Sequence, residues 1–320
     1  MCSLRWADGF LIDDIRGERT LRLDGETTDR RVNWAFGFDS VIASPSGRFV
    51  VLYVRLGTKA IVSDGRRVVR ELNRSFYCSD AYEYPICLFA LPDGREVVAH
   101  CPEEYNRLEI EDLETGERLT KRDYESTAAD VFHSRLEASP GGGHLLSAGW
   151  VWHPLGTLDT FDVAEALRRP ESLDEVRPSP QYRINGEVEA ACWLSEDLIA
   201  VSTGPEEPLD DQNPDDIGPN EIGVWSISEE LWRTRHPSPC RIGSLVPFGD
   251  RILSLFGHPK LLDPRTGSVR EEWPDISTGQ QDGSIIHHLG SLPPPIAVDA
   301  EQRRFAVAAG ASVVVVVDVG

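Results

Sequence analysis

The sequence is poor in the signatures that announce chemistry. It holds no H-E-x-x-H, no G-x-S-x-G and no phosphate-binding glycine loop. Its six cysteines (Cys2, Cys78, Cys87, Cys101, Cys192 and Cys240) never form a C-x-x-C pair, which excludes a paired-cysteine zinc site. They read as free thiols, Cys87 and Cys192 as small core residues. No apolar run approaches the roughly 20 residues that span a bilayer. The opening Met1 to Asp8 has neither the apolar centre nor the small-residue cleavage site of a leader. The expectation is a cytoplasmic protein without a membrane partner. Positive charge is also scarce. Lys and Arg number 32 against 53 Asp and Glu, a net −21, so phosphate-rich partners such as nucleic acid are not expected. A basic protein partner or a cation fits this balance, as does solubility alone.

What the chain does contain is a repeat. A turn recurs as Ser44-Pro45-Ser46-Gly47, Leu91-Pro92-Asp93-Gly94, Ser139-Pro140-Gly141-Gly142, Leu194-Ser195-Glu196-Asp197, Pro247-Phe248-Gly249-Asp250 and Asp299-Ala300-Glu301-Gln302. The copies begin 47 to 55 residues apart. Each is followed by a short apolar run that reads as a strand: Phe49 to Val54, Glu96 to His100, His144 to Ala148, Leu198 to Ser202, Arg251 to Phe256 and Arg304 to Ala308. Third strands follow, such as Leu108 to Leu113, Ile222 to Ile227 and Val313 to Val319, and glycine hairpins lead to fourth strands. A fixed period of four strands predicts an all-β propeller of antiparallel blades in one domain. The expected blades are 34–74, 75–122, 128–180, 181–235, 236–276 and 285–320. The last lacks a fourth strand, and residues 1–25 offer a strand, the Arg16-Gly17 hairpin and a second strand. Six blades, with the two chain ends sharing one sheet, is therefore the leading expectation, because closure removes free sheet edges. Seven is the alternative, with Met1 to Leu23 forming its own short blade.

The turns Ser44-Pro45-Ser46-Gly47-Arg48 and Leu91-Pro92-Asp93-Gly94-Arg95 resemble those that open the second strand of each blade in bacterial WD40-like and TolB-like β-propellers. The likeness covers nearly the whole chain. The paired Gly-His and Trp-Asp dipeptides of true WD40 repeats are absent. The resemblance implies the propeller fold and carries over no enzyme motif.

In such a fold the loops joining second to third strands, and those joining blades, share one face, and the long insertions fall there. Thr203 to Glu221 carries Asp210, Asp211 and Asp215. Asp211, Asn213 and Asp215 alternate like calcium ligands, but Asp216 and Ile222 stand at the sixth and twelfth positions, where glycine and glutamate belong. A second loop, Gly149 to Gly156, presents Trp150, Trp152 and His153. Strand alternation turns one Trp inward and Trp152 outward, as a contact anchor. Between blades, Tyr77 to Tyr84 mixes rings with Asp80 and Glu83, and Tyr82 and Glu83 are candidates for recognition. His133 and His287, with Glu187 and Glu189, fall near the channel mouth. They are the candidate set for a divalent cation, calcium or zinc, or for acid and base in a small-molecule or lactonase-like site. Separate hydrogen-bonded histidines are the simpler reading. Asp162 to Pro170 has an acidic start, helix formers, a basic end and a terminating proline, which predicts a short surface helix. The leading reading is a non-catalytic interaction module that binds a protein partner through the loop-rich face.

Overall fold

The structure is a computed structural model that describes residues 3–15, 19–21, 27–28, 34, 36–122, 128–152, 155–175, 180–206, 213–281, 283, 285, 293–310 and 314–319. Among these the chain makes seven successive antiparallel sheets of three or four strands. The second sheet shows how the repeated turn works. Gly47 N–H donates to Ser44 O at 2.8 Å, and the Ser44 hydroxyl accepts from Phe49 N–H at 3.1 Å. Gly47 takes φ 72°, a backbone that favours glycine. The turn joins Ser40–Ala43 to Val50–Tyr53, and Lys59–Ser63 and Val68–Asn73 complete the sheet. The same bond recurs at Gly94 to Leu91 and at Gly142 to Ser139. A glutamate on a later sheet brackets two of these turns: Glu96 accepts from Ser46, and Glu196 accepts from Ser139.

The third sheet is Ile86–Ala90, Glu96–His100 and Glu109–Asp112. The fourth is Leu136–Ala138, His144–Ser147 and Asp159–Asp162, interrupted by a two-stranded ribbon, Trp150–Val151 with Leu155–Gly156. The fifth and sixth have four strands each, starting at Val188–Trp193 and Leu245–Phe248. The seventh is Ile296–Asp299, Arg304–Ala308 and Val314–Asp318.

Apolar clusters lie between neighbouring sheets. Phe49, Val51 and Val62 of the second pack against Tyr84, Leu88 and Val98 of the third. Leu146 and Leu158 of the fourth meet Val188, Trp193 and Val201 of the fifth. Phe248 and Leu261 of the sixth meet Phe305 and Val307 of the seventh. The series closes on itself, because Leu4 and Leu11 of the first sheet pack on Ala297, Ala306 and Ala308 of the seventh.

That closure corrects the expectation of one shared sheet. Residues 5–28 form a four-stranded sheet of their own: Arg5–Ala7, Phe10–Asp13, Arg19–Leu21 and Thr27–Thr28. The cause is Asp8-Gly9. Both residues have positive φ, 50° and 81°, as a two-residue type I′ hairpin requires, so Arg5–Ala7 becomes a first strand paired to Phe10–Asp13. Among the described residues the first and seventh sheets meet by packing and not by strand pairing. The Arg16-Gly17 hairpin lies outside them.

The outer positions of the third and fourth sheets also differ from the four-strand rule. After the Glu114 to Glu117 turn Arg118 makes an isolated bridge to Glu111, and Leu119 N–H donates to Ile110 O at 2.8 Å. In the fourth sheet the outer place is taken by a helix, α1 (Val163–Arg168), capped as anticipated by Asp162, whose side chain accepts from Glu165 N–H. This helix is no surface decoration. Val163 and Ala166, with Leu173 just beyond, are buried against Phe89, Leu108 and Ile110 of the third sheet.

Candidate functional site

Gly149 opens the ribbon after the fourth sheet's second strand, and only glycine fits there: a Cβ would stand 2.2 Å from Phe132 O. The close approach lets Phe132 and Trp150 exchange backbone hydrogen bonds, at 2.8 and 3.1 Å. It also stacks their rings, with centroids 3.9 Å apart and planes 10° apart. Tyr105 stacks on the other face of Phe132 at 4.2 Å. Alternation along the ribbon then turns Trp152 outward, as expected. It is 49% exposed, with its ring edge-on to Phe132 and to Tyr77. Tyr77 and Phe76 complete the surface at 48% and 84% exposure. Large rings this exposed are uncommon on a soluble face unless they meet something.

The loop that brings Phe76 and Tyr77 here is held by Arg74. Its buried guanidinium donates to the carbonyls of Gly57, Ser79, Tyr82 and Glu83, and lies 4.6 Å from the centre of the Tyr82 ring. No sequence signal marks Arg74, since all four acceptors are backbone carbonyls and backbone carries no residue-type pattern. The rim of the patch is acidic. Asp80, Glu104 and Asp130 are exposed, and Asp130 accepts a 2.6 Å hydrogen bond from the Tyr105 hydroxyl. Burial, with Asp130 behind it, holds the Tyr105 phenol well above its ordinary range.

Two recognition candidates are placed elsewhere. Tyr82 has no exposed surface; it packs edge-on against Phe132 and Trp150 and is a core residue of the patch. The reason is its position in the Arg74 clasp, which turns its ring inward. Glu83, next in sequence, faces the axial mouth, where its Oε1 accepts from Gln281 Nε2 at 3.3 Å. Asp80 remains on the surface. In the long fifth-sheet loop, Asp215 is exposed and its N–H is turned back onto Asn213 Oδ1, while the neighbouring Asp216 is buried in an ion pair with Arg183. His153, Asp210, Asp211 and His287 lie outside the described residues.

The three described members of the candidate metal set, His133, Glu187 and Glu189, have separate surroundings. His133 is buried, its Nδ1 3.1 Å from the Ser147 hydroxyl, and burial pushes the imidazole down to about 4, so it is neutral at pH 7. Glu187 Oε1 accepts from Gly156 N–H. Glu189 is buried at a separate cavity of about 200 Å³ beside Thr203, Asn220 and Arg241. Its carboxyl is raised to about 7 by burial, which Arg241 opposes and Glu206 reinforces. Among the described residues no three His, Cys, Asp or Glu side chains come together as metal ligands.

No protein-family model matches the sequence, and no curated protein matches it. Solved structures match the fold. A chain of the mitotic checkpoint complex crystal structure superposes with a TM-score of 0.59 at 13% identity, over 100% of this chain and 87% of that one. Hydrazine synthase of Kuenenia stuttgartiensis gives 0.59 at 15% identity, over 99% and 95%. Both are propeller-type chains, and the likeness shows a β-propeller fold.

Proposed function

We propose that this β-propeller is a non-catalytic, cytoplasmic interaction module that docks a protein partner on the patch of Phe76, Tyr77 and Trp152. One observation carries the reading: the exposed rings of Tyr77 and Trp152 stand on a stack of Phe132, Trp150 and Tyr105 inside an acidic rim, with the exposed Phe76 next to Tyr77 in the chain. Preorganised aromatic anchors lose little freedom on binding and supply large contact area, which is why Trp and Tyr dominate interaction hot spots. Asp80, Glu104 and Asp130 favour a partner segment that carries Lys or Arg, and cations pair well with the faces of Trp and Tyr. The net charge of −21 supports the same choice of partner. That one structural likeness belongs to a multiprotein complex accords with a propeller that works in assembly.

The test is quantitative affinity purification with three baits: the wild-type chain, a Tyr77→Ala/Trp152→Ala double variant, and a control, Glu301→Ala, on an exposed turn of the seventh sheet. A partner should fall about tenfold or more with the aromatic variant and hold with the control, as a loss above about 1.4 kcal/mol at a hot spot predicts. Equal recovery by all three baits, each folded by circular dichroism, would sink the assignment.

A further inference from the structure

Three cavities run end to end through the centre of the wheel. One of about 450 Å³ at the loop face shares Tyr53, Glu83, Ser244 and Val246 with a second of about 320 Å³. The second shares Ile42, Leu136 and Glu137 with a third of about 490 Å³ that opens among the Ser139 to Gly142 turn residues. Their walls are the innermost strands of successive sheets, so the passage is the axial channel. Each cavity alone is in the range of small-molecule sites, about 300–1,000 Å³.

The mouth is polar and carries both signs of charge. Arg55 leans in from the second sheet. Asp39 accepts its backbone N–H at 2.8 Å, and its Nε donates to the Ser40 hydroxyl at 3.3 Å. Arg135 reaches in from the fourth sheet. Its guanidinium donates to Glu189 O at 2.8 Å and to Gly283 O, carbonyls from two other parts of the ring, so it spans the opening. Its backbone sits at φ 45°, a region that a residue with a side chain rarely adopts and that clusters at functional positions. Among the described residues neither Arg55 nor Arg135 makes an ion pair, although Glu83 lies near enough to favour the charged form of Arg135. The Arg135 guanidinium is half-buried and donates to carbonyls, and desolvation penalises its charge, so an anionic group reaching it from the channel would be favoured. Below the mouth the lining turns apolar, with Ile42, Leu136, Leu245 and Val246.

We propose that the channel mouth binds a small zwitterion of the α-amino-acid type. Its carboxylate is held by Arg55 and Arg135, its ammonium by Glu83, and an apolar side chain enters the throat. The pairing follows from chemistry. Guanidinium groups bind carboxylates through two parallel N–H bonds, which a free carboxylate alone would satisfy at the Arg side. Glu83 would repel that anion unless the same ligand also carried a cation. A ligand of only one sign therefore leaves one wall of the mouth opposed. Asp39, whose Oδ1 accepts from Arg55 N–H and the Ser40 hydroxyl, lines the same mouth and adds to its negative side. The site is separate from the aromatic patch, and its test does not depend on that reading.

Fluorine NMR of para-fluoro-L-phenylalanine with the purified full chain reads the binding directly. Saturable line broadening is expected at ligand concentrations up to about 10 mM. Its two one-charge analogues, para-fluorohydrocinnamate and para-fluorophenethylamine, should bind about tenfold more weakly or not at all. Arg55→Gln should weaken the zwitterion by a similar factor, about tenfold, with an unchanged circular dichroism spectrum. Arg135→Lys, which keeps the charge and loses the fork, should do the same; if it fails to fold, Arg55→Gln decides alone. No saturable broadening, an analogue that binds as well as the zwitterion, or wild-type affinity in Arg55→Gln would each overturn the proposal.

Discussion

Glu137 is shared by two of the axial cavities, and its Oε2 accepts from Trp193 N–H at 3.4 Å. Burial lifts its carboxyl to about 8. Because the folded value lies above the unfolded one, its contribution is fully present below the ordinary carboxylate range and is lost as pH rises through about 8. Glu137→Gln removes that loss. The variant should match the wild type in urea unfolding at pH 5 and exceed it at pH 8 by about 2 kcal/mol, a discounted reading of a shift of several units at 1.36 kcal/mol each. A gap that does not change with pH would mean that water reaches this carboxyl. His133 shows the opposite sign at the same scale, a base held neutral by burial. Its sequence neighbourhood, His133-Ser134-Arg135, drew attention to the histidine. The residue that projects across the channel is Arg135, and nothing in the local sequence distinguishes the two.

At the scale of elements, the third and fourth sheets are joined beyond their last described strands. Arg122, beyond the third sheet, makes a two-pronged ion pair with Asp174 at 2.6 and 2.7 Å, both side chains buried, and also donates to Leu108 O. Asp174 follows the 3-10 turn Pro170–Leu173 that continues from α1, so the pair ties the helical insert to the neighbouring sheet. Asp174→Asn leaves the buried guanidinium with the more distant Glu109, at 3.6 Å, as its remaining counter-charge among the described residues. It should cost about 3 kcal/mol in urea unfolding, the range for breaking one side of a buried pair. Hydrogen exchange of Val163–Arg168 should accelerate with it. A cost under about 1 kcal/mol would show an exposed-type pair instead. The helix itself was readable, since a cap and a terminating proline are neighbours in the chain. Its burial was not, because Ala166 and Phe89 are brought together only by the packing of two sheets.

At the scale of the molecule, one aromatic side chain reaches from the first sheet to the seventh. Trp6 Nε1 donates to Ala297 O at 3.3 Å, and the Arg304 guanidinium lies 3.9 Å from the centre of its ring. Arg304 is fixed in turn by Asp299 at 2.8 Å. Trp6→Ala should lower stability by about 2 kcal/mol through lost apolar contact and the cation–π pair. The Arg304–Ala308 strand should exchange its amides faster than the second and third sheets do. Uniform exchange across all sheets would mean that the ends are held by something other than this contact.

The turn chemistry and strand alternation were legible because each depends on residues a few positions apart: Ser44 with Gly47, Asp162 with Glu165, Trp150 against Trp152. These local rules determined the all-β repeat, most strand positions and the outward face of Trp152. The tertiary structure decided what depends on distant residues. It separated the first sheet from the seventh, turned Tyr82 inward under Arg74, and carried Arg135 to carbonyls at Glu189 and Gly283. Contacts between residues tens to hundreds of positions apart are set by the packing of finished sheets, and that packing leaves no period or motif in the order of the amino acids.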